Sequence, residues 1–351
     1  MKRQKLTEPR GAEVVRSIDV ARLAGVSRSA VSRAFTEGAS VSMHTRRLVQ
    51  EAAERLGYRP NAIARSLITN RSSLIGLLIA DLKNPFYSSL LDTLCQKIQQ
   101  ADRATLLLSC EHAEDPDRLL SKLLSYQVEG VFMTAAVLSP FLARRCERLG
   151  KPIVVFNRYS EQDGISCVSC DHVASGRLVA EHLLGTGHRR IGLIGGPQST
   201  ASSRNREQGF LARLAEAGVE PYARDAGNYS HEGGLKAARR QLSLSPRPDA
   251  IFCTNDAMAL AVLDVARIEL GLSVPADLSV VGFDNTSASA SAAYDLTTVD
   301  QNVDGLTSAG LAMLLNAIEQ PSLDPCQVVV PGRLVVRSST RVPCPGVQVR
   351  T

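Results

Sequence analysis

From Leu74 onward the sequence alternates short apolar runs with longer amphipathic stretches, and no other feature limits the fold as tightly. The runs at 74–80, 104–109, 130–135, 152–157, 165–169, 190–195, 249–254 and 278–283 have the length and composition of buried strands. Stretches such as 86–101 and 116–126, which separate them, read as helices. Strand, helix, strand in repeated order implies parallel sheets covered by helices on both faces, so an α/β body is expected. A body of roughly 265 residues exceeds one typical doubly wound sheet, which predicts two lobes with ligands at the carboxyl ends of strands and between the lobes.

The segment before Leu74 has a different rhythm. Asp19 can sit in the first turn of a helix running through Ala24, Gly25 breaks it, and Ser27 is a good N-cap for the next helix. Ser42 caps a longer run in which Leu48, Val49, Ala52, Ala53 and Leu56 recur at helical spacing, with Gly57 as its stop. YRPN at 58–61 is a break, after which Asn61 can cap the short segment AIARSLI. Charge follows the same division. Residues 1–71 carry 14 Lys and Arg against 6 Asp and Glu, a net +8, whereas the other 280 carry 26 against 29, a net −3. A basic amino-terminal module joined to a slightly acidic body points to a polyanionic partner for the first part alone.

Helix, glycine-containing turn, helix is the helix-turn-helix pattern, whose second helix enters the DNA major groove. In GVSRSAVSRAF (25–35), Arg28, Ser29, Ser32 and Arg33 share one face at helical spacing, while Val31, Ala34 and Phe35 turn largely away. Arginine can pair bidentately with guanine, and serine can contact bases or phosphates. Spacing alone also fits a solvated helix face.

Longer stretches narrow the choice. SIDVARLAGVSRSAVSRAF and VSMHTRRLVQEAAERLGYRPNAIARSL, followed by IGLLIADLKNPFY, FCTNDAMAL, VPADLSVVGFDN and LTTVDQN, resemble the LacI/GalR family of bacterial transcription regulators over about residues 18 to 341. The resemblance implies an all-α helix-turn-helix headpiece and an α/β periplasmic-binding-protein-like body of two doubly wound lobes with three crossovers. It predicts a basic arm at 1–16, a headpiece at 17–59, and a hinge helix and linker at 60–72. The body then spans 73–341, with one lobe at about 73–170 and 301–331, the other at about 171–300 and 332–341, and a tail at 342–351.

Carried over by position, the resemblance assigns base contacts to Arg28, Ser29 and Arg33 and phosphate contacts to Ser27 and Ser32. Ala30 departs from the pattern, since most members carry a threonine there whose hydroxyl reaches a phosphate. Asn61 to Leu67, including Ala64 and Arg65, match a hinge helix that folds when a dimer sits on its operator, with Leu67 wedged into the minor groove. A seven-residue helix is unstable alone in water, and an apolar wedge kinks DNA at a cost that added contacts offset.

For the body, the resemblance implies an effector cleft. Phe86 and Tyr87 of NPFY are expected at its mouth, and VVFNRY places Asn157, where members often have aspartate, beside Arg158. Arg206 supplies a fork for a ligand hydroxyl or carboxylate, Asn255, Asp284 and Gln301 complete a polar ring, and Tyr229 matches an aromatic wall. Plainer readings remain open at this level: Phe86 and Tyr87 as core aromatics, Asn255 and Asp284 as helix caps, Arg206 in a surface ion pair. The polar set suits a small polyhydroxylated compound such as a sugar or sugar derivative.

Other signals carry little. CVSC (167–170) has no second cysteine pair at zinc-finger distance, the six histidines lack HxxxH spacing, and GLIGGPQST lacks the glycine and lysine spacing of a phosphate loop. No catalytic constellation, metal site or cofactor is expected. The first sixteen residues lack a signal peptide's apolar core and no apolar run approaches a membrane span, so a cytoplasmic protein is expected, with its eight scattered cysteines as buried thiols. The sequence after VVRSSTR carries no leucine heptad, which favours a homodimer over a tetramer. The expected partners are double-stranded DNA with a pseudo-palindromic operator and a small-molecule effector.

Overall fold

The computed structural model describes residues 15–36, 38–59, 72–80, 82, 84–110, 116–134, 146, 148–157 and 165–342. The chain divides into two compact units, Met1–Ser72 and Ser73–Thr351. In the first, α1 (Ser17–Ala24), α2 (Arg28–Ala34) and α3 (Met43–Leu56) form the headpiece. Their ends are set by local chemistry. Ser27 Oγ accepts from Ala30 N at 3.2 Å, Ser42 Oγ accepts from Thr45 N at 3.1 Å, and Gly25 and Gly57 end α1 and α3 at φ 65°. Glycine adopts that left-handed conformation without the steric penalty other residues meet. Val20, Ala21, Val31, Ala34, Val49, Ala52 and Ala53 form the headpiece core, and Arg46 Nη1 donates to the Ala34 carbonyl at 2.7 Å, tying α3 to the end of α2.

The second unit contains two parallel sheets. Strands β1 (Leu74–Ala80), β2 (Ala104–Cys110), β3 (Gly130–Thr134), β4 (Ile153–Phe156) and β5 (Ser166–Cys170) alternate with α4 (Pro85–Gln100) and α5 (Pro116–Ser125). Helix α6 (His172–Gly185) then leads into β6 (Ile191–Gly195), α7 (Ala201–Glu216), β7 (Ala223–Ala226), α8 (His231–Leu242), β8 (Ala250–Cys253), α9 (Asp256–Asp264) and β9 (Ser279–Val281). The chain finishes with β10 (Thr298–Asp300), α10 (Val303–Glu319), β11 (Gln327–Val330) and β12 (Arg333–Val335).

Sheet order in the first lobe is β11-β5-β4-β3-β1-β2, and in the second β7-β6-β8-β9, with parallel pairing throughout. The chain passes between them three times: after β5, between β10 and α10, and between β11 and β12. Because β10 and β12 pair antiparallel, two of these passages are tied side by side. Leu306, Leu311 and Leu314 of α10 bury against Ile75, Leu77, Leu90 and Phe156, so the returning helix completes the first lobe's core. The second lobe's cores gather Ile194, Ile251, Met258 and Val280 on one face of its sheet and Phe210, Phe252, Val281 and Phe283 on the other. All eight strands expected from the apolar runs are present, β1 with the expected boundaries and the others shifted by one or two residues at an end. Strands β7, β10, β11 and β12 carry no comparable sequence signal, being three or four residues long and exposed or half-buried in β7 and β12.

Candidate functional site

On the headpiece, Ser27, Arg28, Ser29, Ser32 and Arg33 are all exposed while Val31 and Ala34 are buried, so α2 presents one polar face and anchors the other. Ser27 Oγ is committed to its cap and lies 2.9 Å from Ser29 Oγ. Among the described residues neither Arg28 nor Arg33 makes an ion pair or side-chain hydrogen bond, which leaves two guanidinium groups free on that face. Asn61, Ala64, Arg65 and Leu67 lie outside the described residues, as does Arg158.

In the body, four nominated residues from separate elements join in one buried chain. Asn157 follows β4 at φ 52°; its Oδ1 accepts from Cys170 N at 3.3 Å and its Nδ2 donates to Gln301 Oε1 at 3.0 Å. Gln301, just after β10, donates from Nε2 to Asp284 Oδ1 at 2.6 Å. Arg206 on α7 donates from Nη1 to the same oxygen at 3.3 Å and to the Thr254 carbonyl at 2.6 Å. Its Nε donates to His172 Nδ1 at 3.3 Å, and its guanidinium carbon sits 3.8 Å from the Phe283 ring centroid. Arg206 is only 4% exposed, so its pairing with Asp284 is interior.

The remaining nominees stand differently. Asn255 caps α9 by accepting from Met258 N at 3.0 Å and donates to the Tyr229 carbonyl at 3.1 Å, so it acts on the cleft through Tyr229. Tyr229 lies with its ring 5.8 Å from the Arg206 guanidinium and against Gly196, where any Cβ would meet the ring at 2.4 Å. Phe86 is buried in the first lobe's core, edge-on to the half-buried Tyr87, and also lines a cavity of about 270 Å³ with Ser89, Asp284, Asn285, Thr286, Asp300, Asn302, Val303 and Asp304. This cavity brings the start of α4 and the passage into α10 up to Asp284. No helix follows Asp284, so it is not a cap.

Electrostatics single out Asp284. Burial pushes its carboxyl up to about 7, and the nearby charge of Asp256 adds to the rise, while Arg206 and Gln301 hold it down. Burial first, and the Arg206 charge second, keep His172 well below the ordinary histidine range and hence neutral. With Nδ1 accepting from Arg206, the His172 proton belongs on Nε2.

Three residues here had not been nominated from the sequence. Asp256 accepts from Thr298 Oγ1 at 2.5 Å, Thr286 N at 2.7 Å and Thr286 Oγ1 at 3.0 Å, fastening β10 to the turn that carries Asp284. Its place beside Asn255 in TND was the available signal. His172 and Thr254 both hold Arg206, and only their positions at strand ends could have drawn attention.

A profile of bacterial regulatory proteins of the lacI family matches residues 18–61, and one of periplasmic binding protein-like domains matches residues 180–340. Catabolite control protein A of Priestia megaterium is 30% identical over 329 residues, covering 92% of this chain and 98% of that protein. The chain belongs to the LacI family. Among solved structures, the lac repressor dimer bound to operator and an anti-inducer superposes with a TM-score of 0.84 at 29% identity, covering 94% of this chain and 100% of that one. The complex of the transcriptional regulator CelR with cellobiose gives 0.69 at 29% identity, with 93% and 99% covered. Both family profiles fall on the units just described, one on the headpiece and the other on most of the second lobe and the passages beyond it. Among the described residues no helix is long and apolar enough to cross a membrane, and no group of three or more His, Cys, Asp or Glu is placed to hold a metal ion.

Proposed function

We propose that this chain is a sequence-specific DNA-binding transcription regulator, a cytoplasmic repressor that binds a pseudo-palindromic operator as a homodimer and responds to a small carbohydrate-like effector. The observation that carries the reading is the exposed, unpaired Arg28 and Arg33 on a helix whose opposite face is locked into the headpiece core, in a chain of this family. Arg28, Ser29 and Arg33 read base edges, Ser27 and Ser32 contact phosphates, and Asn61, Ala64, Arg65 and Leu67 form the hinge at the minor groove.

In the body, Arg206, Asp284, Gln301 and Asn157 hydrogen-bond the effector, Phe86, Tyr87 and Tyr229 supply apolar walls, Asn255 holds Tyr229, and Arg158 adds a further contact. The lac repressor neighbour carries an anti-inducer together with operator, and the CelR neighbour carries cellobiose, which supports a joint DNA and sugar role. Effector and operator then change each other's affinity by one common factor, commonly about 5- to 150-fold. No residue is assigned a catalytic role. A gel shift with duplexes selected from random sequence tests the reading: one pseudo-palindrome should be bound far more tightly than random DNA, with affinity falling steeply as salt rises. Equal binding to every duplex, or none, would sink it.

A further inference from the structure

The second unit begins at Ser73, and this residue is held in a strained conformation. Its φ is 53°, in the left-handed region that a residue other than glycine adopts at a cost, and such strain persists only where the surroundings impose it. Glu129 Oε1 accepts from Ser73 N at 2.9 Å, and the Ser73 carbonyl accepts from Ala104 N at 2.8 Å. Arg103 Nε backs the carboxylate by donating to Glu129 Oε2 at 3.3 Å, with the two side chains only 19% and 9% exposed. Ser73, Arg103 and Glu129 immediately precede β1, β2 and β3, so this clamp ties the amino ends of three neighbouring parallel strands, at the end of the sheet opposite the cleft.

Two helices run from the cleft to the clamp. Helix α4 starts with Phe86 and Ser89 on the cavity wall and is capped at Ala101, whose carbonyl accepts from Arg103 Nη1 at 3.1 Å. Helix α10 starts just after Gln301, with Val303 and Asp304 on the same wall. Its Leu314 and Ile318 pack on Gly130, where a Cβ would lie 2.8 Å from Leu314 Cδ1. Lys97 Nζ of α4 pairs with Asp304 Oδ1 at 2.7 Å and donates to Ser308 Oγ at 2.9 Å, which ties the two helices together. At 16 and 17 residues, each spans about 25 Å.

We propose that Glu129 is a positioning residue that couples the cleft to DNA binding: it locks Ser73, and with it the course on which the chain leaves the body for the headpiece, while α4 and α10 carry movements of the cleft to that lock. This rests on the regulator reading above. A serine released from the carboxylate returns to the extended or right-handed region, and rotation about that one N–Cα bond redirects the chain before it. Coupling needs an element with two discrete arrangements that both sites bias, and Ser73 supplies one. The charge-assisted bond from Ser73 N holds the strained arrangement, and a small shift of Glu129 breaks it. Packed helices move as rods, so a displacement at the cavity wall reaches Arg103 and Gly130 without being absorbed on the way.

The test uses the full-length protein and an operator duplex selected from random sequence. Fluorescence anisotropy gives the affinities for operator and random duplexes, and mass spectrometry follows amide exchange in peptides covering α10 with and without saturating operator. In the native protein operator should slow exchange in α10, because coupling between two sites is reciprocal. Glu129→Ala should lower operator affinity by about tenfold, leave random-duplex affinity within about twofold, and abolish the α10 response. Glu129→Gln keeps the acceptor for Ser73 N and should restore most of both. Ser73→Pro forbids φ 53° and removes the donor while leaving the Arg103 pair intact, so it should reproduce Glu129→Ala, and the double variant should lose no more than about twofold further. If Glu129→Ala does not fold, Ser73→Pro alone decides. An unresponsive α10 in the native protein, a response that persists in Ser73→Pro, or additive losses in the double variant overturns the inference. Native protein that binds every duplex alike sinks the regulator reading instead, and the inference falls with it.

Discussion

Replacing Gly209 by alanine should destabilise the body by about 2 kcal/mol or more, even though alanine is the better helix former. Helices α6 and α7 touch backbone to backbone. A Cβ on Gly209 would fall 1.9 Å from the Val173 carbonyl oxygen, and one on Gly176 would fall 2.3 Å from the Arg206 carbonyl oxygen. Restoring an ordinary carbon–oxygen separation of about 3.3 Å requires the helices to part by roughly 1.4 Å, and neither backbone can rotate aside. Overpacking of this kind costs about 3 kcal/mol at the upper end of its usual range, and improved helix propensity returns at most about 1 kcal/mol. The effect reaches the cleft, because α7 carries Arg206 and α6 begins with His172. Their 3.3 Å hydrogen bond would not survive such a separation. Gly218→Ala is the control: at φ 68° with nothing near its Cβ position, it carries conformational strain of about 1 kcal/mol and no clash. Thermal melts of the full chain followed by circular dichroism should show a loss in Tm at least twice as large for Gly209→Ala as for Gly218→Ala. Equal losses would refute the close-packing argument.

Arg28→Ala should relax base preference at one operator position by about 1–3 kcal/mol, whereas Ala30→Thr, which restores a hydroxyl near the backbone, should raise affinity evenly across sequences. Competition gel shifts with operator and random duplexes separate the two, and the opposite pattern would mean that another face of α2 enters the groove. His172 is neutral when folded and protonates freely when unfolded, so the unfolded chain binds the extra proton and stability falls as pH drops through about 6.5. Relative to His172→Gln, the native protein should therefore lose about 1 kcal/mol between pH 7 and pH 5.5 in denaturant titrations; a constant difference would show that the imidazole is not held neutral.

What could be read in advance follows from the range of the forces involved. Ser27, Ser42, Gly25 and Gly57 announce the headpiece helices because capping and left-handed turns involve atoms a few residues apart. Six of the eight apolar strands lie between two neighbours and must be hydrophobic on both faces, whereas β2 and β9 stand at sheet edges and were legible from their apolar runs alone. Strand β7, with the sequence ARDA, is an edge strand with alternate residues exposed, and β10 and β12 exist because each finds the other. Nothing within either segment states that pairing.

The cleft divides in the same way. Arg206, Asp284, Gln301 and Asn157 stand in recognisable motifs at strand ends or on a helix, and the fold joins them into one hydrogen-bonded chain. His172, Thr254 and Asp256 were not legible as members of that chain, since their roles arise only when α6, β8 and the turn after β9 converge on Arg206 and Asp284. The arginine is thus held on three edges before any ligand arrives: by an imidazole nitrogen at Nε, a carbonyl and a carboxylate at Nη1, and the Phe283 ring beneath. A guanidinium fixed in this way has little rotational freedom left to lose on binding, so the ordering cost of a ligand contact to its remaining edge has already been met in folding. That pre-organisation links the tight α6–α7 glycine contact to the chemistry of the cleft. Moving those helices should change ligand affinity through the orientation of Arg206, without removing any atom from the site.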